Sequence, residues 1–513
     1  MKNNFKNRFR SILASVLTAS VLMLSLAACR NAAAGKASGE LSAAVSGAGA
    51  ERSSTVSSAF SAASSEAQPA EAESVPAGSA ASSAAVSALP SLTTSSSASS
   101  VPAERVSKPP VTNADDGVQT VKKIAVAETS GQTGTLDAAA DVQSGYQKMD
   151  QRSAYGVLTI QGEKDLYELI GKAVYQISDT PGSSGYYTLQ TITVPSGLKE
   201  AQICETLVAY QDDNPQVFWM ANAYSIGTKG NTAYLQLYSN LSLQQCSEYN
   251  QKFTAAVSAA LASVPSGLNE FGREEAIFNY IVGLCGYDDS AAADSGIWQS
   301  YTAYGALVNG KAVCEGYSRA MQLLCGYTGL QCILTRGTAE GENHMWNCVS
   351  IDGHWYHFDV TWCDNTSLIY SYFNIPDSVL TATHTPAPAV SSMSDSQITD
   401  AAGFYNLVVP VCDSTLANYY LVRGIHIGNP GGLSDDEIVS AIAERMKSGG
   451  GTIAFSVGPD SDFDAAVQDL LQKMPAYLRS SAKAAGKTLN FNSIRYLSDR
   501  PDLGVNIIIS YAE

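Results

Sequence analysis

Basic residues are scarce in this chain of 513 residues, which has 31 Lys and Arg against 48 Asp and Glu and a formal net charge of −17. The one dense basic cluster comprises Lys2, Lys6, Arg8 and Arg10. Proteins that bind nucleic acids need clustered Lys and Arg to displace counterions from phosphates. The composition therefore excludes a nucleic-acid partner. Without those four residues the net charge is about −21, from 27 basic and 48 acidic residues, which favours solubility but determines no fold.

Aromatic residues are almost missing from residues 31–100, where Phe60 is the single example and 42 residues are Ala or Ser. Such a segment cannot bury enough apolar surface to offset the entropy that is lost when its backbone is ordered. We therefore expect a disordered, low-complexity tether over residues 29–150 and about 360 folded residues after it. That remainder contains all five Trp and most of the 26 Tyr, which suffices for a sizeable core.

Motifs for metal and phosphate binding are also missing. The chain has no Cys-x-x-Cys pair, no phosphate-cradling glycine motif and only five His. His354 and His357 lie three residues apart on a predicted strand, so their side chains point to opposite faces and chelate poorly as a pair. His384 and His426 stand alone and are predicted to be surface or structural residues. The sequence thus predicts neither a metal nor a cofactor.

The N-terminus has the organisation of an export signal. Residues 1–10 are basic, and Ile12–Ala28 is an apolar run that is too short for a comfortable membrane span. No later apolar run reaches about 18 residues. The run ends in Leu-Ala-Ala-Cys at residues 26–29, which resembles a bacterial lipoprotein lipobox. That resemblance implies a signal peptide over residues 1–28, a lipid attached to Cys29 and an extracytoplasmic protein anchored to the bacterial cell membrane. An ordinary signal peptide is the alternative.

Nine cysteines follow Cys29, an odd number that leaves at least one thiol unpaired in any disulfide scheme. The folded part is also too large to depend on disulfides. We therefore expect most of these cysteines to be small buried hydrophobic residues, and one of them to be reactive.

Periodicity divides the folded part into an N-terminal α/β segment (151–265), a central core (266–382), a linker rich in Pro, Ala and Ser (383–400) and a small C-terminal α/β domain (401–513). The predicted flanking helices are Lys164–Ser178, Leu198–Gln211, Gln244–Ala262, Ser434–Met446 and Asp462–Ala485. The predicted flanking strands are Tyr186–Val194, Thr232–Tyr238, Tyr419–Ile427, Thr452–Val457, Leu489–Tyr496 and Val505–Tyr511.

Cys314 lies at the predicted start of a helix. From Tyr317 apolar residues recur with helical spacing, and the helix is expected to end at Gly329. The unpaired N–H groups and the dipole at a helix N-terminus stabilise a thiolate and can face an oxyanion. Cys325, inside the helix, and Cys332, in the apolar run that follows, lack this environment and are predicted to be core residues.

An Asp-Gly pair at residues 352–353 separates two alternating runs and predicts a two-residue hairpin loop. In that register His344 pairs with Thr361, so His344 and Asp359 become diagonal neighbours on one face, within reach of each other. A bulge would shift the register and weaken this prediction. The opposite face is apolar and is predicted to be core: Met345, Val349, Ile351, Tyr356, Phe358 and Val360.

A thiol at a helix start and a His oriented by a carboxylate form the cysteine version of the nucleophile–base–orienter triad. Asp359 would hold the tautomer of His344, and His344 would take the proton of the Cys314 thiol. Cys314 would then attack an acyl carbon and form a thioester. Local spacing predicts the His–Asp contact, whereas it does not predict that Cys314 meets His344.

Three sequence blocks resemble the transglutaminase-like superfamily, in particular its exported bacterial members. They are Tyr-Gly-Ala-Leu followed by Val-Cys-Glu-Gly-Tyr within residues 304–317, His-x-Trp-Asn-x-Val in 344–349 and Asp-Gly-x-Trp-Tyr-x-x-Asp-Val-Thr-Trp in 352–362. The resemblance covers about residues 265–375. It implies an α+β fold with a papain-like core, in which Cys314 is the nucleophile, His344 the base and Asp359 the orienting residue.

Other features of the resemblance are weaker. Tyr-Asp at residues 287–288 is similar to an upstream block of the family, and Asn-Pro-x-Val-Phe-Trp at 214–219 is similar to a flanking one. Met345 stands where the family often has a small residue, which bears on the wall of the cleft. Tyr304 is a candidate donor to an oxyanion.

Two functions of different classes follow from these expectations. The first is a surface-anchored cysteine enzyme that transfers or hydrolyses the acyl group of protein or peptide amides at the cell envelope. Whether an amine or water resolves the thioester is left open. The second is a cell-surface binding module that keeps the fold and has lost catalysis.

Overall fold

The computed structural model describes residues 104–105, 118–125, 132–137, 142, 144–182, 184–293, 296–364 and 367–512. All of them belong to one unit, Thr94–Glu513. The predicted signal peptide, Cys29 and most of the predicted tether lie outside the described residues. Among the helices of the described part, none combines the length and the apolar character that a membrane crossing requires.

The N-terminal segment packs helices against a sheet that is built around the β7–β8 hairpin. The strands up to this hairpin are β1 Glu104–Arg105, β2 Lys122–Lys123, β3 Thr133–Thr135, β4 Gln176–Pro181, β5 Tyr187–Leu189, β6 Ile192–Thr193, β7 Met220–Lys229 and β8 Thr232–Ser239. The helices are α1 Ser153–Val157, α2 Gln161–Ala173, α3 Glu200–Asp213 and α4 Leu243–Ala262. The sheet order is β2-β7-β8-β5-β4-β3, and β6 also pairs with β8. The three helices predicted for this segment are present, with bounds shifted by a few residues.

Residues that composition assigned to the tether take part in this sheet. Strand β2 pairs in parallel with β7, and β3 pairs antiparallel with β4. Val118 and Leu136 are each only 4% exposed. The predicted tether over 29–150 is therefore wrong for these described residues. The reason is that an extended segment pairs with a sheet edge through its main-chain N–H and C=O groups, and every residue type except Pro has both.

The central core combines a four-stranded antiparallel sheet with the helix that begins at Cys314. Its strands are β9 Gly286–Tyr287, β10 Lys311–Ala312, β11 Cys332–Ala339, β12 Glu342–Ile351, β13 His354–Phe358 and β14 His384–Pro386. Its helices are α5 Glu270–Leu284, α6 Asp289–Ala293, α7 Cys314–Tyr327, α8 Val360–Cys363, α9 Asp377–Leu380 and α10 Asp395–Ala401, with 3-10 turns at Trp298–Tyr301 and Val390–Ser392 and a π-helical turn at Gly305–Asn309. The sheet order is β13-β12-β11-β14.

The predicted linker over residues 383–400 is not a linker. Strand β14 pairs antiparallel with β11, and Ala339 lies opposite His384. Helix α10 follows, and the hydroxyl of its N-cap Ser394 accepts the N–H of Gln397. Composition misled here because a three-residue edge strand needs main-chain pairing rather than apolar side chains.

The C-terminal domain has a second core of its own. Its strands are β15 Ile425–Ile427, β16 Thr452–Val457, β17 Arg495–Asp499 and β18 Gly504–Ile508, and its helices are α11 Tyr419–Arg423, α12 Asp435–Lys447 and α13 Phe463–Ala485, with a 3-10 turn at Phe491–Ser493. The sheet order is β1-β17-β18-β16-β15. A capping box of Ser434 and Glu437 starts α12, at the predicted beginning of this helix. The predicted strand Tyr419–Ile427 is wrong in its first half, which is helical.

Candidate active site

Cys314 is the first residue of α7, as predicted. The N-cap residue Val313 has extended backbone, with φ −90° and ψ 179°, and its side chain makes no capping hydrogen bond. An apolar N-cap therefore leaves the helix N-terminus beside the thiol without a side-chain acceptor, although Ser, Thr, Asp and Asn are usual there. The thiol is only 1% exposed.

The β12–β13 hairpin has the predicted register, in which Ile351 lies opposite His354. Its two loop residues, Asp352 and Gly353, have φ of 51° and 82°, and a type I′ turn requires positive φ at both positions. The face that was predicted to be core is buried, with each of its six side chains at most 2% exposed. The other face is buried as well, since none of its side chains His344, Trp346, Cys348 and His357 is more than 6% exposed.

Strand β13 ends at Phe358, three residues before Thr361, to which the predicted pairing extends. Asp359 is the N-cap of α8, and its Oδ1 accepts the N–H of Trp362 at 3.0 Å. The predicted pair of His344 with Thr361 therefore does not form. The predicted contact between His344 and Asp359 does form, since His344 Nε2 lies 2.7 Å from Asp359 Oδ2.

His344 connects Asp359 with the thiol. Besides the bond from Nε2 to Asp359, its side chain has a hydrogen bond with Cys314. Burial opposes a charge on this imidazole, but the Asp359 carboxylate and the Cys314 sulfur together raise the pKa of His344 to about 10. The same pairing acts on the carboxylate. Burial favours the neutral acid, but His344 and His384 hold the pKa of Asp359 well below its ordinary value.

His384 is a site residue that sequence reasoning placed elsewhere. It is 1% exposed, and its Nε2 lies 3.1 Å from Asp359 Oδ2. Burial lowers the pKa of His384 in spite of that bond, so the neutral ring donates Nε2–H to Asp359 while Nδ1 accepts from the Thr383 hydroxyl at 2.8 Å. The prediction that His384 stands alone is wrong. No local pattern signals this contact, since β14 is separated from Asp359 by 25 residues.

Aromatic rings enclose the imidazoles. The His344 ring stacks on Trp346 at 6.1 Å and 20°, and Trp362 lies 4.7 Å from the ring of His384. Rings of this size exclude water, which strengthens charge-assisted hydrogen bonds. On the thiol side, Met345 belongs to the same buried apolar cluster as Cys314, so the residue that departs from the family pattern lines the wall beside the nucleophile.

Other residues that the resemblance singled out lie in packing positions. Tyr304 stacks on Tyr249 at 5.0 Å and contacts Phe218, and its role as an oxyanion donor stays a prediction. Trp219 is buried and donates its indole N–H to the carbonyl of Val174 at 2.9 Å.

The described cysteines are buried and form no disulfide with one another, which confirms the expectation that most of them are small core residues: Cys204, Cys246, Cys285, Cys314, Cys325, Cys332, Cys348, Cys363 and Cys412. Because all of them are buried, these cysteines differ in their hydrogen-bond partners rather than in their burial. Among the partners of Cys314 is an imidazole that is itself held by a carboxylate.

Within the part of the chain that the structure describes, two groups of buried donors lie close enough together to hold a metal ion, and within each group the ligand atoms are within 4.8 Å of one another: His344, Asp359 and His384, and Cys348, His357 and Cys412. The second group was not visible in the sequence. His357 Nδ1 lies 3.2 Å from Cys348 Sγ, and burial, which opposes its charge, is outweighed by Cys348 and Asp377, so its pKa rises to about 9. Its Nδ1 also accepts the indole N–H of Trp346 at 3.1 Å, a bond that metal ligation would have to break.

Comparison with known proteins identifies the class of the central segment. Residues 259–360 match the family described as the Transglutaminase-like superfamily. This segment belongs to that superfamily, as its sequence blocks predicted. The predicted α+β class, with a transglutaminase-like and papain-like core, is confirmed as well.

Individual relatives are distant. The chain is 29% identical over 129 residues to Kyphoscoliosis peptidase of Mus musculus, covering 20% of this chain and 19% of that protein. It is 26% identical over 158 residues to Kyphoscoliosis peptidase of Homo sapiens, covering 26% and 24%. The chain therefore spans about a fifth to a quarter of the length of these curated relatives. A solved structure of a TGase aligns with a TM-score of 0.21 at 19% identity, over 27% of this chain and 44% of that one.

Family and geometry together define a general chemistry. The superfamily supports thiol-dependent acyl transfer or peptidase chemistry. The assignment of Cys314, His344 and Asp359 as catalytic residues remains a prediction, and it concerns three side chains that the fold brings into one connected group.

Proposed function

We propose that the chain is a cysteine-dependent enzyme that acts on protein or peptide amides through a thioester, with Cys314 as nucleophile, His344 as acid and base, and Asp359 as the orienting carboxylate. The observation that carries this proposal is the 2.7 Å contact from His344 to Asp359 on an imidazole that also bonds to Cys314. A carboxylate on one ring nitrogen leaves the other nitrogen to exchange a proton with the nucleophile.

The steps balance without a cofactor. The sulfur of Cys314 attacks the amide carbon, and the imidazole of His344 carries the thiol proton to the departing amine as the C–N bond breaks. The acyl group is then a thioester on Cys314. Water or a second amine attacks that thioester, gives a proton to His344 and releases the acyl group, after which the thiol recovers the proton.

Water is the acceptor that we favour. The relatives that align with this chain are named as peptidases, and hydrolysis of a main-chain amide is the peptidase outcome. Incubation with a Gln-containing peptide and a tagged amine, followed by mass spectrometry, separates the three outcomes, because cleavage, deamidation and amine incorporation each give a different mass. We expect cleavage or deamidation, and no product with Cys314→Ala. The matched control is Cys325→Ala, a buried thiol on the same helix, which is expected to stay active. Product formation by Cys314→Ala would contradict the proposal.

We also propose that the enzyme is exported and anchored to the cell membrane by a lipid on Cys29. The support is the sequence of residues 1–29 alone. Metabolic labelling with an alkyne fatty acid in a bacterial host is expected to label the wild-type chain. Cys29→Ala is expected to lose both the label and the membrane fraction, and labelling of that variant would contradict the anchor.

A binding module without catalysis is the second candidate, because Cys314 is only 1% exposed. Alkylation of the thiols at pH 6 distinguishes the two functions. An activated Cys314 is expected to react faster than the other cysteines when the reagent can reach its thiol. Equal alkylation rates for all the thiols would favour the binding module.

A further inference from the structure

A segment from upstream of the folded core packs into the apolar cluster that contains the thiol. We call residues 118–124 the strap. Val118 of the strap is 4% exposed and belongs to one apolar cluster with Cys314, Leu334 and Met345. One of the four buried side chains in this cluster thus comes from a part of the chain that composition assigned to the tether.

The strap is held mainly through its backbone. The N–H of Gln119 donates to Glu315 Oε2 at 2.7 Å, and the N–H of Val121 donates to the carbonyl of Ala402 at 2.7 Å. Lys122 and Lys123 then pair in parallel with β7. A strand bound through alternating main-chain bonds, with one aliphatic side chain in a pocket, is how proteins commonly recognise an extended peptide.

Glu315, Ala402 and β7 accept or pair with the main chain of the strap, and we call the surface that they form the groove. Glu315 follows the nucleophile directly and is 2% exposed. Its Oε1 pairs with Arg319 at 2.9 Å, while its Oε2 accepts the amide of Gln119. A buried carboxylate oxygen that loses its donor is costly. When the strap leaves, that oxygen requires another N–H or water in the same place, on the residue that follows Cys314.

We propose that the strap occupies in cis the groove that an extended polypeptide substrate takes, so that the enzyme is closed by its own chain. In the open state a substrate strand lies along the groove, gives one main-chain N–H to Glu315 and places a small aliphatic side chain where Val118 lies. That the groove binds a substrate rests on the proposed function. The closure of the thiol by the strap does not, and it is tested without any turnover.

The test measures the rate at which iodoacetamide alkylates Cys314 in the full chain, by mass spectrometry of the peptide that contains it. Val118→Asp removes the apolar plug, and Gln119→Pro removes the N–H that Glu315 accepts. Each variant is expected to react roughly tenfold faster than wild type. Val118→Asp loses the burial of one valine side chain, and Gln119→Pro loses a hydrogen bond to a buried carboxylate. The matched control is Ala125→Asp, which adds the same charge at an exposed position just beyond the strap and is expected to react like wild type.

Cys325 serves as an internal reference for folding, because its thiol is fully buried in the same helix. Fast labelling of Cys314 with Cys325 unlabelled supports the strap as the cover. Equal Cys314 rates in wild type, Val118→Asp and Gln119→Pro, with Cys325 unlabelled in all of them, would overturn it. If Val118→Asp unfolds, Gln119→Pro decides, since it leaves the apolar side chain in place.

A capped synthetic peptide with the sequence of residues 118–124 probes the groove in trans. Added to Val118→Asp, it is expected to slow the alkylation of Cys314 toward the wild-type rate, whereas a scrambled peptide leaves the rate unchanged. Equal rates with both peptides would contradict recognition of an extended chain by the groove. If the amide-product assay fails while these labelling results hold, the catalytic proposal is wrong and the strap proposal stands.

Discussion

Replacing Asp359 by Asn exchanges one carboxylate oxygen of the triad for an amide nitrogen and leaves the shape of the side chain unchanged. The carboxylate accepts three hydrogen bonds, from His344 at 2.7 Å, from His384 at 3.1 Å and from the N–H of Trp362 at 3.0 Å. In Asp359→Asn the amide oxygen can keep the Trp362 bond. The amide nitrogen then faces the two imidazoles as a donor, so neither can donate to it. His344 is expected to move its proton to the nitrogen that faces Cys314, where it can no longer accept the thiol proton.

The expected fall in the pKa of His344 follows from the loss of the charge-assisted hydrogen bond to Asp359. A hydrogen bond to a charged group contributes about 1.5–3 kcal/mol, which corresponds to roughly 1–2 pKa units at 1.36 kcal/mol per unit. The pKa of His344, about 10 in the intact site, is therefore expected to fall to roughly 8–9. Loss of the correct tautomer is expected to reduce turnover by about 10²- to 10⁴-fold, the range for a mispositioned general base.

Imidazole titration by NMR measures the first effect directly, since the chain has only five His to assign. His354→Gln, at an exposed position on the same hairpin, is the control that identifies one signal and is expected to leave His344 unchanged. His384→Gln keeps a donor toward Asp359 and is expected to shift the pKa of His344 less than Asp359→Asn does. An unchanged titration of His344 in Asp359→Asn would refute the argument that this carboxylate holds the imidazolium.

The same raised pKa predicts how stability depends on pH. Protonated His344 binds its proton more tightly in the folded chain than in the unfolded chain, where the ordinary value is 6.5. Its contribution to stability is therefore complete below about pH 6.5 and is lost as the pH rises through about 10. Denaturant unfolding of wild type across this window is expected to show that loss. Asp359→Asn is expected to show a smaller loss over the same window, and an equal loss would contradict the assignment.

Three further predictions concern the scaffold. Asp212→Ala is expected to lower the free energy of unfolding by about 3–5 kcal/mol in denaturant titrations, because Arg336 loses its buried bidentate partner at 2.5 and 2.8 Å; a change below about 1 kcal/mol would contradict this. Burial raises the pKa of Glu274 to about 8, so its stabilising protonated form is lost as pH rises through 8. Glu274→Gln is expected to be more stable than wild type at pH 9, but not at pH 5. Gly337→Ala would place a Cβ 2.2 Å from a carbonyl oxygen of β14, and is expected to shift the NMR signal of His384 and lower the Tm; an unchanged signal would show that β14 tolerates the methyl group.

The sequence predicted the elements whose causes are local. The Asp-Gly loop at residues 352–353 required positive φ at both positions, and this turn set the register that brings His344 toward Asp359. Helix α7 begins at Cys314, three residues before the helical periodicity that predicted it starts at Tyr317. Strand β14 and the strap were missed because main-chain pairing of short segments leaves no pattern in side-chain composition.

The site shows the same division. Cys314, His344 and Asp359 could be selected from their blocks, and the contact of His344 with Asp359 follows from one hairpin. His384 could not be selected, because it reaches Asp359 through the pairing of β14 with β11. The cluster around Cys348 was hidden for the same reason, since it joins a strand to a segment 64 residues away.

By itself, the sequence of this protein determined which residue types carry the chemistry, where the nucleophile helix begins and how one hairpin delivers a carboxylate to an imidazole, because these depend on neighbours within about twenty positions. Only the tertiary structure decided that Cys314 meets His344, that a second imidazole shares Asp359, and that Val118 joins the apolar cluster of Cys314 while Gln119 donates to Glu315. Those contacts arise when edge strands and distant segments satisfy buried main-chain and carboxylate groups, a requirement of the assembled fold that no local pattern records.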